Sequence, residues 1–480
     1  MRVVLWLVFL LLPAVRAQKL AEFEKRVTEF SLANGVHFIV LERHEAPVVS
    51  FHTYVNAGSV DDPKGQTGLA HMFEHMAFKG TATIGSKNYA EEKKALEAVE
   101  RLYDQDAPEA AVKAAIDKAN SYVDVNAYPR IIEENGGADL NAQTGEDATT
   151  YFYSLPANRI ELWFLLESQR FLQPVFREFY KERDVVREER RMRVESNPEG
   201  KLVEALLATA FAAHPYREPT AGWASDIEQL RAGDAEAFFK KHYGPANITI
   251  GIAGDVDPAE ARRLAEKYFG PLPSRPLPPA LRTVEPAQEG EKRALVETPS
   301  QPYLAIVYKR PDQKDKDDPV FDIIAGILDS GRTGLLYEEL VRDRRIALSA
   351  QIDATFPGGK YPGLFLIWVA PSPGHTVQEN ERAVYGVIER LKTEKVDQQT
   401  LTRVKTKIRA AVIRQLDNST GMAAELAFHH ANYGTWRKLF TGLDDINAVT
   451  ADDVQRVARR YFTASERTVA STVAAKGGAQ

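Results

Sequence analysis

From Thr28 to Val55 apolar and polar positions alternate through two short runs, VHFIVLE and VVSFHTYV, separated by HEAP. A period of two puts alternate side chains on one face, so both runs predict strands, and the short connection predicts that they pair antiparallel. The period changes between Gly65 and Gly80, where Leu69, Met72, Phe73 and Met76 recur at three and four residues and predict an amphipathic helix. The Ala-, Glu- and Lys-rich stretch from Tyr89 to Tyr128, broken at Asp106-Ala107-Pro108, predicts a helical hairpin. Helices are predicted over about 157–172 and 177–193, and ITIGIAGDVD returns to strand character.

A break follows. Residues 271–286, PLPSRPLPPALRTVEP, hold six prolines, which suit neither a helix nor an inner strand. Beyond it YLAIVYKRP, DDPVFDIIAGILD, LFLIWVAPSP and ERAVYGVIERL read as strand, helix, strand and helix, the order met in the first half. DAEAFFKKHYGPANITIGIAGDV before the break also resembles ADDVQRVARRYFTASERTVASTVA near the C-terminus: a helix, an aromatic turn, then a strand. The expected organisation is an N-terminal domain over 18–270 with a helical insertion at about 90–127, a proline-rich linker over 271–295, and a homologous C-terminal domain over 296–480.

Composition sharpens this picture. A chain of 480 residues is too long for one ordinary core, and 44% apolar with 27% charged residues is the balance of a globular protein. The net charge of -6 offers no basic field to recruit nucleic acid or an anionic membrane. With no cysteine there are no disulfides, thiolate ligands or cysteine nucleophile, so a metal would have to be held by His, Asp or Glu. At the N-terminus Arg2, the apolar run Val3–Leu12, Pro13 and Val15-Arg16-Ala17 form the pattern of a cleaved secretory signal over 1–17. A retained anchor is the alternative, but the run falls short of the roughly 20 residues that span a bilayer, and no later segment is long enough. The expected location is the periplasm or the exterior.

The chemistry gathers on the first predicted helix. His71 and His75 are four residues apart and project from one face, a spacing that can chelate one ion. Catalytic zinc takes three protein ligands and leaves a position for water, so a third ligand is needed. Glu189 in ERDVVREER is the leading candidate, two helical turns after Glu182. Glu74 lies on the same face as the histidines, where it can take a proton from water at the metal, the inverted H-x-x-E-H order. Ordinary surface groups on a helix could produce the same five-residue pattern, but its apolar neighbours argue for a partly dry site. His214 and His242 have no metal-ligand spacing and are read as packing or turn residues; His429 and His430 are read as helix residues.

GLAHMFEHMAFKGT, GADLNAQTGEDATTYFYSLP, ERDVVREER, HPYREPTAGWASDIEQL, HYGPANITIGIAGDVD and SGRTGLLYEELVRD, in that order, resemble the inverted-motif zinc peptidases that include pitrilysin, insulin-degrading enzyme and the mitochondrial processing peptidase. The resemblance implies an α+β fold in two homologous halves, each an antiparallel sheet flanked by helices, enclosing a chamber for unfolded peptides. It implies one zinc ion on His71, His75 and Glu189, Glu74 as the base, and Glu182 supporting a ligand from behind. It further implies that substrate peptide adds as a strand along Leu140, Asn141, Ala142 and Gln143. The stretch between His75 and Glu189 is longer than the family usually shows, and the hairpin accounts for the excess; it is expected to lie outside the site, shaping the chamber entrance or a partner contact.

A second departure concerns the far half. There the family pairs an arginine with a tyrosine, in a pattern like R-E-K-G-L-A-Y, to hold the substrate carbonyl. RDRRIAL keeps Arg342 but has Leu348 in place of the tyrosine, and leucine cannot donate a hydrogen bond to an oxyanion. Some family members divide these parts between two chains, so a heterodimer with a related subunit supplying the arginine and tyrosine is expected, a homodimer being the alternative. DIIAGILD, where the histidine motif would repeat, has no ligand spacing. The function expected is zinc-dependent cleavage of unfolded peptides. A non-catalytic, chaperone-like assembly subunit and a hydrolase of non-peptide substrates are the competing readings.

Overall fold

Segments whose side chains are apolar on both faces must be covered on both, and they become the centres of two sheets. The computed structural model describes residues 22–474, so the segment read as a signal, 1–17, lies outside the described residues. The first sheet contains β1 (Val27–Ser31), β2 (His37–Glu42), β3 (Val48–Val55), β4 (Ala138–Thr144), β5 (Thr149–Pro156) and β6 (Ile248–Gly254), in the order β1-β2-β6-β3-β5-β4. The second contains β7 (Lys292–Thr298), β8 (Leu304–Arg310), β9 (Ala347–Phe356), β10 (Gly363–Pro371) and β11 (Arg467–Ala474), in the order β7-β11-β8-β10-β9. Pairing is antiparallel except for β2 with β6 and β7 with β11. Without β1 the two orders correspond strand for strand, with β4 and β9 at equivalent open ends. The chain is α+β in two similar halves, as its patterning predicts.

One expected pairing does not occur. β2 and β3 are not neighbours, because β6 lies between them, parallel to β2 and antiparallel to β3. All seven residues of β6 are buried, so it takes a central place with a strand on each side. β2 finds its antiparallel partner in β1 instead, through the turn that follows Ser31. The period-two pattern identifies the strands but carries no information about which lie side by side.

The predicted hairpin forms as α2 (Tyr89–Asp104) and α3 (Glu109–Asn120), and the histidine-bearing helix, α1, spans Leu69–Met76. The glutamate-rich helix, α4, spans Phe179–Arg190, and the turn widens to a π-helix over Arg191–Glu195 where a continuous helix was expected. Between Tyr268 and Lys292 the chain forms no helix or strand, although β7 begins inside the stretch read as linker. No helix among the described residues is long and apolar enough to cross a membrane.

The halves brace each other reciprocally. Helix α5 (Pro198–Ala210) packs Leu202, Leu206 and Leu207 against Ala305, Val307 and Leu364 of the second sheet. Helix α6 (Ser419–Tyr433), from the second half, packs Met422, Ala423 and Leu426 against Ile39, Leu41 and Ala253 of the first. Buried Asn432 Nδ2 donates to Tyr54 Oη at 3.0 Å along the same seam. The seam is tight at Gly251, where an added Cβ would stand 2.0 Å from the carbonyl oxygen of Ala423. Gly251→Ala must therefore push α6 off the first sheet, and overpacking of this kind should cost ~1–3 kcal/mol in urea unfolding. An unchanged midpoint would show that the helix is not seated on that glycine.

Candidate metal centre

Helix α1 is short, and its exposed N-terminal amides need a partner. Asp62 supplies it: its carboxylate accepts from Gly68 N and Ala70 N, each at 2.8 Å. Leu69, Met72, Phe73 and Met76 bury the inner face, and Phe73 stacks on Phe239 at 5.5 Å between centroids. His71, Glu74 and His75 are left to face α4.

There the Nε2 atoms of His71 and His75 stand 3.7 and 3.4 Å from one oxygen of Glu189, and the donor atoms of the three residues all lie within 4.8 Å of one another. The other Glu189 oxygen forms an ion pair with Arg193 at 2.8 Å, which leaves the first turned to the histidines. Glu182, two turns earlier on α4, approaches His75 Nδ1 at 3.3 Å and takes Lys79 Nζ at 2.5 Å. His75 thus lies between two carboxylates, one at each ring nitrogen.

Charge follows from this arrangement. Burial lowers the pKa of His71 to about 4, and the neighbouring His75 adds to the effect, so His71 is neutral, as a ligating imidazole must be. Burial also pulls His75 down, but its bonds to Glu182 and Glu189 outweigh that and raise it to about 9. Burial would raise Glu182, yet His75 and Lys79 hold it at about 2. The bond from His75 lowers Glu189. Positive charge is therefore favoured at the point where the three donors converge, and a metal cation bound there would replace a proton.

These residues fit a zinc-type ion. Two imidazoles and a carboxylate are a catalytic zinc donor set. His71 Nε2 stands 3.7 Å from the Glu189 oxygen, too far for a hydrogen bond, so neither group satisfies the other and a cation between them would. Glu74 is raised by burial, against the opposing bond from Thr144 of β4. A carboxylate shifted toward neutrality is suited to taking up a proton. Among the described residues β4 pairs only with β5, so Asn141 and Ala142 lie on an open sheet edge beside α1, with the Asn141 side chain accepting from Ala142 N at 2.9 Å.

Arg342 and Leu348 are placed differently. The Arg342 guanidinium bonds to Glu338 and Asp343 of its own segment and is half exposed. Leu348 is 54% exposed on β9, the open edge of the second sheet.

Sequence reasoning missed the group that holds α1 and α4 in register. Arg177, immediately before α4, is 1% exposed; its Nε and Nη2 donate to Glu92 of α2 at 2.7 and 3.2 Å. Its remaining donors go to the carbonyls of Lys79, Thr81 and Ile84, in the loop that leaves α1, at 2.6 to 2.8 Å. Gly80 and Gly85 flank the guanidinium at φ +88° and +90°, and a Cβ on either would come within 2.9 Å of Nη1. The insertion at about 90–127, expected to lie outside the site, is thus joined to its support, and its last residues Val123, Asp124 and Asn126, beyond α3, line a cleft with Glu74, His75 and Glu182.

The match to known proteins agrees with this architecture. The family model "Insulinase (Peptidase family M16)" matches residues 38–99 and 113–223, and the model "Peptidase M16 inactive domain" matches 229–408. The chain belongs to the insulinase family, peptidase family M16. It is 26% identical to the zinc protease PqqE of Helicobacter pylori over 91% of this chain and 90% of that protein. It is 24% identical to the probable mitochondrial-processing peptidase subunit beta of Arabidopsis thaliana, over 92% of this chain and 76% of that one. The crystal structure of a protease from Helicobacter pylori shares the fold with a TM-score of 0.80, at 24% identity over 93% of this chain and 99% of that one.

The clamp gives a test independent of any metal. Arg177→Met leaves the buried Glu92 carboxylate and the carbonyls without their donors, and breaking a buried pair in this way should lower the unfolding free energy by ~3–5 kcal/mol. A urea midpoint equal to that of the parent protein would remove Arg177 from this role.

Proposed function

We propose that the chain is a zinc-dependent endopeptidase that cleaves unfolded peptides, with His71, His75 and Glu189 as metal ligands and Glu74 as general base. The observation that carries the reading is the convergence of three donor atoms within 4.8 Å beside a half-buried carboxylate and an open strand edge. A bound zinc ion supplies Lewis-acid polarisation of the peptide carbonyl and makes water acidic enough to act as a nucleophile near neutral pH.

The chain's own groups do the rest. The peptide main chain pairs with β4 at Asn141 and Ala142, an interaction that gives affinity with little demand on side chains. Glu74 takes a proton from water as the carbon–oxygen bond forms and gives it to the amide nitrogen as the carbon–nitrogen bond breaks. Glu182 orients the His75 ring from its Nδ1 side, and Lys79 holds Glu182 in place. Zinc protease and processing-peptidase relatives support this reading.

The second half carries no such donor cluster among its described residues, and the Leu348 side chain has no hydrogen-bonding group to offer a substrate. We therefore extend the proposal to a heterodimer in which a related subunit supplies an arginine and a tyrosine. The apolar N-terminal run supports export to the periplasm or beyond.

Two experiments test these readings. Glu74→Gln should lower peptide cleavage by roughly 10²–10⁴-fold while zinc content is retained; cleavage at the parent rate would exclude Glu74 as the base, and absence of cleavage by both proteins in every mixture would favour a binding subunit. For the assembly, cleavage is measured with and without the candidate partner. Activity should require mixing, and full activity of this chain alone would eliminate the heterodimer.

A further inference from the structure

A second group of histidines lies at the seam between the halves. His37 opens β2, directly opposite Ser31 of β1, with Glu29 two residues before Ser31. His430 reaches the same place from the last turn of α6, and its ring lies 3.6 Å from that of His37, nearly parallel at 10°. Read from sequence, His430 is only a helix residue; the packing of α6 on the first sheet gives it a partner from the opposite end of the chain.

Two of the three side chains have one polar atom occupied and another left over. Ser31 Oγ engages His37 Nδ1 at 2.9 Å, while His37 Nε2 is buried without a hydrogen-bond partner. Arg437 Nη1 donates to one Glu29 oxygen at 3.0 Å, while the other oxygen stands 3.7 Å from His37 Nε2. His430 Nδ1 is likewise buried without a partner. One donor atom from each of Glu29, His37 and His430 lies within 4.8 Å of the other two. Unpaired buried nitrogens are costly, and two of them beside a free carboxylate oxygen form a locus that a cation would satisfy.

We propose that Glu29, His37 and His430 form a second metal site, for zinc or a similar borderline divalent cation, which staples α6 of the second half to the β1–β2 hairpin of the first. Two imidazoles and one carboxylate suit zinc better than calcium or magnesium, which require more oxygen donors. Ser31 and Arg437 hold the ligands from behind, as outer partners do in metal sites. Parallel rings aim their lone pairs in parallel, so chelation requires one imidazole to turn about its Cβ–Cγ bond, a torsion with a broad minimum. This site is independent of the peptidase reading because it shares no residue with the first.

The test removes the first site. The full chain carrying His71→Asn and His75→Asn is titrated with zinc chloride by calorimetry, and its melting temperature is followed with and without zinc. Roughly one equivalent should bind with micromolar or tighter affinity and raise the melting temperature through linkage. Adding His430→Phe, which retains a ring against His37 but offers no lone pair, should abolish both effects; Glu29→Gln should weaken binding by at least tenfold. The proposal is overturned if the double variant binds zinc only at millimolar concentration, or if His430→Phe leaves binding and the melting shift unchanged.

Discussion

All five N–H donors of Arg177 are used inside the first half, two on the Glu92 carboxylate and three on the carbonyls of Lys79, Thr81 and Ile84. A guanidinium removed from water in this way tolerates little displacement, because every bond it gives up leaves a buried polar group unpaired. Its partners belong to the loop leaving α1 and to α2, and it stands directly before α4. The two helices that face each other across the candidate ligands are therefore referenced to one rigid guanidinium. His71 and His75 come from one side of it, Glu182 and Glu189 from the other.

The same logic of mutual support operates at larger scale. Each half lends a helix to the other's sheet, α5 to the second and α6 to the first, so neither sheet face is complete alone. The His71, His75 and Glu189 cluster lies on α1 and α4 beside the open edge of β4, while β9, the equivalent edge in the second half, carries Leu348. The two frames are similar in strand order, and among the described residues only the first carries a His-His-Glu group within one half. Groups from the two halves also meet at the seam between them, Asn432 on Tyr54 and the His430 ring on that of His37.

Much of this was legible in the sequence, for identifiable reasons. The i, i+3, i+4 spacing of His71, Glu74 and His75 fixes their common face from local geometry alone, and the seven-residue interval between Glu182 and Glu189 does the same on α4. Period-two runs revealed the strands and the repeated order revealed the halves. What could not be read is non-local. β6 separates β2 from β3 although it follows them by nearly two hundred residues, and no local pattern encodes that. Glu92 looks like any solvated helix glutamate until Arg177 is packed on it, and its burial depends on how the hairpin folds back. His430 looks like helix filler for the same reason.

The proposed function requires that His71, His75 and Glu189 bind one metal ion beside Glu74. Anomalous diffraction from crystals of the zinc-loaded protein, recorded on both sides of the zinc absorption edge, tests it most directly. An edge-dependent peak is expected roughly 2.0–2.2 Å from His71 Nε2, His75 Nε2 and a Glu189 oxygen. Well-ordered density for the three side chains with no such peak between them would contradict it.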